Sequence, residues 1–283
     1  MTRRTLTIVV CLAVLALLGG CTGKIPPATL TPRLTPPDIG SAGVLRVSVD
    51  LGYPPFAGTA KGEKVGLDID VAAALADQLG LKLELVDAKP SAAAPLAREG
   101  KVDLVMGALT VEEAVALQLA YAGTYVTDSS AVFAAKVETL TIGDLSSSRV
   151  AVQMGSVAYW YLLDTYGEGP LVVTPTLSEA MKAAAAGEVD AAAGDAIVMA
   201  YAGRTIPGLK YGGQLAPAFP LGMGVAQDKT KLESEVRSAL DKLSSQGVLE
   251  ALRRKWARDL PRFAVQGGLS DEATATPETT TTP

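Results

Sequence analysis

The sequence predicts an α/β protein of two lobes, each a mostly parallel sheet flanked by helices. Three observations predict it. Short valine-rich runs alternate with apolar residues at helical spacing, as in parallel strands linked by right-handed crossovers. A nonapeptide occurs twice, as "GKVDLVMGA" at 100–108 and as "GEVDAAAGD" at 187–195. A further strand-like run, "LGMGVAQD" at 221–228, follows the second copy and reads as the chain returning to its first lobe.

Taken in order, "VLRVSVD" at 44–50 alternates apolar and polar residues and predicts a strand ending at Asp50. After the loop "LGYPPF", Leu67, Val71, Leu75 and Leu79 define one face of a helix, with Asp68 and Asp70 placed to favour its positive N-terminal end. "KLELV", a helix and "VDLVMGA" complete the first unit. In the second, "RVAVQMG" at 149–155 runs into a helix starting near Ser156, and "LVVTP" is the next strand. Thr176 and Glu179 form a capping box for a helix that Gly187 closes, and "VDAAAGD" follows. After the returning strand, Thr230 and Glu233 read as another capping box. It opens a helix with Leu232, Val236, Leu240 and Leu243 on one face. Gly247 interrupts that helix before a last amphipathic one, "VLEALRRKWA". The first lobe is thus expected over 43–130, the second over 131–220, and the return segment over 221–265.

The two ends read differently. Arg3 and Arg4 precede an apolar run, Leu6 to Leu18, shorter than the ~20 residues a spanning helix needs. Residues 1–20 therefore read as a secretory leader, and Leu18-Gly19-Gly20-Cys21 as a lipoprotein signal that acylates Cys21. Residues 21–42 are expected as a lipidated Pro/Thr-rich tether, and 266–283 as a disordered tail. Loss of Arg3 and Arg4 with the leader takes 25 basic residues to 23 against 30 acidic, a net charge of −7 where the whole chain carries −5. Such a balance argues against nucleic acid as a partner. Cys11 leaves with the leader and Cys21 is acylated, so no disulfide framework and no thiol nucleophile remain. Histidine is absent, which excludes Ser-His-Asp and Cys-His chemistry and histidine-held zinc or iron. No cofactor and no metal are expected.

In open parallel sheets, ligands bind beyond the carboxyl ends of strands. Asp50, the Gly107–Thr110 loop with Ala108, Gly155–Ser156 and Gly194–Asp195 all fall at such ends, so facing lobes would bring them into one cleft.

The stretches "LRVSVDLGYPPF", "GLDIDVAAALADQLG", "GKVDLVMGALT", "VAVQMGS", "GEVDAAAGD" and "GVLEALRRKW" together resemble the family-three solute-binding proteins of amino-acid-type ABC transporters, with the type II periplasmic-binding-protein fold, over about residues 44–257. The resemblance implies two lobes joined by two hinge strands, closing on a small solute by hinge motion. It also implies ligand contacts from Asp50 with Tyr53 and Phe56, from Ala108 and Thr110, from Ser156 and Val157, and from Asp195 to an amino group. One expected residue is missing. The family places a carboxylate-gripping arginine five residues after its threonine; the count from Thr110 ends on Val115. Removing one partner of a buried charge pair costs ~3–5 kcal/mol, so an amine-bearing, cationic or neutral solute is expected rather than an ordinary α-amino acid.

Plainer roles compete for the same residues. Asp195 suits a helix cap, Asp50 a turn, Tyr53 and Phe56 loop packing, and Thr110 a cap for "VEEAVALQL". Tyr159 and Trp160 are expected in the core. Asp103 and Asp190 are expected to anchor the turns before their strands. The expected function is a lipid-anchored extracytoplasmic binding protein, not an enzyme. It is expected as a monomer that delivers its solute to an ABC permease in the membrane. The alternatives are a cyclohexadienyl dehydratase-like enzyme on the same fold and a ligand sensor or scaffold.

Overall fold

A computed structural model describes residues 31–258 and 260–263. The leader 1–20, Cys21 and the tail 266–283 lie outside the described residues. The first elements are β1 (Val44–Val49), β2 (Gly58–Ala60), β3 (Glu63–Val65), α1 (Leu67–Leu79), β4 (Lys82–Asp87), α2 (Pro90–Arg98), β5 (Leu104–Leu109) and α3 (Val111–Ala116). Then come β6 (Leu119–Asp128), β7 (Ser130–Ala134), β8 (Val150–Gln153), α4 (Val157–Tyr166), β9 (Leu171–Thr174), α5 (Leu177–Ala186) and β10 (Ala191–Asp195). The chain ends with α6 (Ala196–Ala202), β11 (Lys210–Gln214), β12 (Phe219–Ala226), α7 (Thr230–Ser245) and α8 (Val248–Ala257).

The strands form two five-stranded sheets, ordered β4-β1-β5-β12-β6 and β11-β7-β10-β8-β9, and a β2-β3 hairpin. In each large sheet four strands run the same way and one, β12 or β7, is reversed. The chain passes between the sheets twice, from β6 to β7 through Ser129 and from β11 to β12.

The repeated nonapeptide has a repeated structural task. Asp103 accepts the backbone N–H of Arg46 at 2.8 Å, and Asp190 accepts that of Arg149 at 2.7 Å. Each aspartate thus fixes the start of the neighbouring parallel strand, β1 or β8. Both arginines reach back to a carbonyl of the repeat, Gly100 or Glu188. The copies differ in burial. Asp103 is almost wholly enclosed and takes two further bonds from the Arg46 guanidinium, whereas Asp190 and Arg149 are exposed.

Helix faces follow the periodicity. Leu67, Val71, Leu75 and Leu79 of α1 and Leu232, Val236, Leu240 and Leu243 of α7 are all buried in one core with Leu45, Val47 and Val49 of β1. Ala191, Ala192 and Ala193 of β10 are fully buried, because the middle of this sheet is covered on both faces. Thr176 caps α5 by accepting the Glu179 N–H, and Gly187 ends it in the left-handed conformation.

Two expectations are corrected. Thr230 is the first residue inside α7; Lys229 is the cap and makes no side-chain cap bond, so the second capping box does not form, and Glu233 pairs with Arg237 instead. The expected tether is packed over its described part. Leu34 and Ile39 are 0% and 1% exposed, both in the core around α1 and α7. Arg33 N–H donates to the Leu79 carbonyl, Lys229 to that of Pro37, and Gly40 N–H to Asp103. Two isolated apolar residues among prolines carry no periodic signal, so their burial was invisible to pattern.

Candidate ligand cleft

Asp50 follows β1, and its carboxylate accepts the Gly52 N–H at 2.9 Å while Tyr53 N–H donates to its carbonyl. It shapes the turn that presents Tyr53. Tyr53 stacks on Phe56 with ring centroids 5.2 Å apart. Phe56 is 1% exposed and belongs to the core, so it does not line an open surface; it supports the half-buried Tyr53 ring. At the end of β5, Gly107 and Ala108 have φ of 135° and 55°. The second value lies in a region that non-glycine residues rarely enter. Thr110 completes a capping box on α3. Its hydroxyl oxygen accepts the Glu113 N–H at 3.2 Å, and its N–H donates to the Glu113 carboxylate at 2.9 Å. Val115, on the same helix, is 67% exposed.

In the second lobe Ser156 caps α4 by accepting the Tyr159 N–H at 3.1 Å, and Val157 begins the helix as an exposed side chain. Trp160 is 59% exposed, which corrects its expected place in the core; its ring packs edge-on against Tyr159 instead. Asp195 ends β10 and occupies the cap position of α6, yet its side chain makes no cap bond. That bond is made from elsewhere. Asp128, at the end of β6, accepts the N–H groups of Ile197 and Ser129 at 3.2 and 2.8 Å.

Tyr53 feels charges from both lobes. Burial pushes its hydroxyl well above the ordinary phenol range, and the charges of Asp195, Asp128, Glu113 and Asp68 push it further. Four carboxylates, at the ends of β10 and β6 and on α3 and α1, thus act on one phenol. Asp195 is itself raised by burial. Asp128 is pushed up to about 7, first by burial and then by Asp195. Asp68 is likewise pushed up to about 7 by burial, against the pull of the Tyr125 hydroxyl and of the Ala108 and Gly107 amides. Ser156 and Val157 stand at the N-terminus of α4. Among the described residues, no hydrogen bond joins them to the Tyr53 group.

Asp68, Tyr125, Asp128 and Glu113 do not figure among the ligand contacts that the sequence suggested. Asp68 looked like a dipole partner of α1, but it is fully buried and accepts the Tyr125 O–H. Asp70, its neighbour, accepts Trp256 Nε1–H and Lys255 at 2.6 Å each. Glu113 stands three residues after Thr110, the spacing of a capping box, and that local signal was available. Asp128 had only "DSS" between two apolar runs to mark it. Arg149 and Arg204 are engaged with groups of the protein. Arg149 holds the Glu188 carbonyl, and Arg204 lies over the Tyr201 and Trp256 rings and donates to the Lys255 and Trp256 carbonyls.

Known proteins share this architecture. ABC transporter arginine-binding protein 1 of Escherichia coli (strain K12) is 25% identical over 222 residues, covering 76% of this chain and 91% of that protein. The histidine-binding periplasmic protein of Salmonella typhimurium (strain LT2) is 27% identical over 238 residues, covering 79% and 90%. The structure of an ancestral cationic amino acid solute binding protein superposes with a TM-score of 0.67 at 27% identity, covering 76% of this chain and 95% of that one. The same ancestral protein is also described as a precursor of cyclohexadienyl dehydratase. Residues 45–259 match the bacterial extracellular solute-binding proteins, family 3, and the chain belongs to that family.

Proposed function

We propose that this protein is a lipid-anchored extracytoplasmic receptor that takes a small cationic solute between its lobes and hands it to an ABC permease. The observation that carries the cationic part is that Asp195 stands at the start of α6 without a cap bond, while its charge and those of Asp128, Glu113 and Asp68 act on Tyr53. Val115 adds to it, because a valine offers a ligand carboxylate no partner. Relatives named for arginine, for lysine, arginine and ornithine, and for histidine are consistent with a ligand bearing a guanidinium, ammonium or imidazolium group. A dehydratase acting on a carboxylate substrate fits this cleft poorly, since its acidic side chains would repel that substrate.

Matched ligands test the proposal. Agmatine and cadaverine are arginine and lysine without their α-carboxylates. Calorimetry should find the two amines bound in roughly the micromolar range, at least as tightly as the amino acids. Val115→Arg should favour the amino acids instead. Tighter wild-type binding of arginine than agmatine would overturn the assignment of Val115, and binding of none of the four would overturn the cationic reading.

The anchor has its own test. Cys21→Ser should move the protein from the detergent phase to the aqueous phase on phase partitioning. If both forms are already aqueous, Cys21 carries no lipid.

A further inference from the structure

We propose that Asp128 is the positioning residue of this cleft: by capping α6 in place of Asp195, it leaves the Asp195 carboxylate free for the positive group of a ligand. The inference rests on the cation-binding reading above and adds a second residue and a mechanism to it.

An aspartate just before a helix ordinarily turns its side chain onto the N–H of the second or third helical residue. Asp195 has that position and an extended backbone, φ −64° and ψ 124°, but makes no such bond. The Ile197 N–H, which it would have taken, donates to Asp128 Oδ1 at 3.2 Å. The same oxygen takes the Ser129 N–H at 2.8 Å, so Asp128 is held from its own side as well. Asp128 is 2% exposed and ends β6, a strand of the other sheet, at the point where the chain passes between lobes.

The next two residues complete the clamp. The Ser129 carbonyl accepts the Ala196 N–H at 2.9 Å, and its hydroxyl donates to the Ala216 carbonyl at 2.7 Å, beside the second crossing. Ser130 pairs with Asp195 itself across β7 and β10. The start of α6 is therefore tied to both crossings by backbone and buried side chains, and Asp195 is the one acid there without a cap bond.

The arrangement has a signature in pH. Asp195 and Tyr53 are the ionisable side chains that interact with Asp128; the remaining groups on it are the amides of Ser129, Ile197 and Ala196. Asp128 is raised to about 7, so in the empty cleft it is mostly neutral below that pH and charged above it. A cation beside Asp195 favours the charged form, so uptake releases a proton and affinity rises as pH climbs through about 7. Asp68, raised to a similar value, also acts on Tyr53, but Asp128→Asn leaves it intact. The part of the pH profile lost in that variant belongs to Asp128.

Calorimetry with agmatine and with L-arginine as probes, at about pH 6 and about pH 8, tests this on wild type, D128N, D128A, D195N and the D128A/D195N double variant. D128N keeps an acceptor for the Ile197 N–H. It should bind as wild type does at the lower pH, without the rise. D128A should lose about tenfold or more at both, because Asp195 turns back to cap α6. In the D195N background at about pH 6, where Asp128 is mostly neutral, the same change should cost less than about twofold, which a purely structural role would not give. The proposal is overturned if D128A binds like wild type, if its cost at about pH 6 persists without Asp195, or if D128N retains the full pH rise. Should D128A fail to fold, the D128N profile decides alone. If D195N binds like wild type, the reading of Asp195 fails, and this inference falls with it.

Discussion

Asp195→Asn is expected to weaken a cationic ligand by ~2–5 kcal/mol, roughly thirtyfold to several thousandfold, when agmatine or arginine is titrated by calorimetry. The size follows from the setting. Asp195 is partly buried, its carboxyl is raised by burial, and it makes no cap bond, so its ionised form gains its partner when a cation arrives. Asparagine keeps the shape and removes the charge. The ligand's positive group would then be enclosed with a neutral amide, and truncating one member of a buried pair costs far more than the pair contributes. Glu113→Gln should cost much less, because Glu113 is exposed and also occupied by the Thr110 N–H. Equal losses in the two variants would mean that the ligand rests on the first lobe as much as on Asp195.

The second large effect is on stability. Asp103→Ala should lower the unfolding free energy by ~3–5 kcal/mol, the range for breaking a buried charge pair, and the melting temperature by about 10 °C. The aspartate gathers the N–H groups of Gly40 and Arg46 and two bonds from the Arg46 guanidinium, and its removal leaves that guanidinium enclosed without a counter-charge. Asp190→Ala removes the corresponding bond of the second lobe, but there Arg149 and Asp190 face solvent, so water replaces what is lost. Its cost should be about 1 kcal/mol. Chemical denaturation of both variants separates the cases. Equal effects would mean that burial is not what distinguishes the two copies.

Local pattern carried much of this molecule. The apolar spacing of α1 and α7, the caps at Ser156 and Thr176, the stop at Gly187 and the alternation of strand with helix are relations between residues a few positions apart. Those distances are set by helix and strand geometry and need no knowledge of the rest of the chain. The doubled nonapeptide belongs here too, because it writes one parallel strand and its anchoring aspartate twice. Helix onset was less secure. Thr230 looked like a cap, yet α7 begins at that residue, because the helix started one residue earlier than its side-chain signal.

What only tertiary structure decided is which polar groups are spent and which are left free. Asp195 and Asp128 are both aspartates beside apolar runs, and local pattern pointed to Asp195 as the side chain that caps α6. The choice is made by a bond between residues 69 apart, and the burial of Asp68 by its bond to Tyr125, 57 residues away. Phe56 and Tyr53 are aromatics of one loop, but only packing against the first-lobe core turns one fully inward and leaves the other half-buried. Leu34 and Ile39 became core only because α1 and α7 present a surface to cover them. The physical reason is common to all four. Periodicity reports the direction a side chain takes from its own element, whereas charge, burial and availability depend on what another part of the chain places against it.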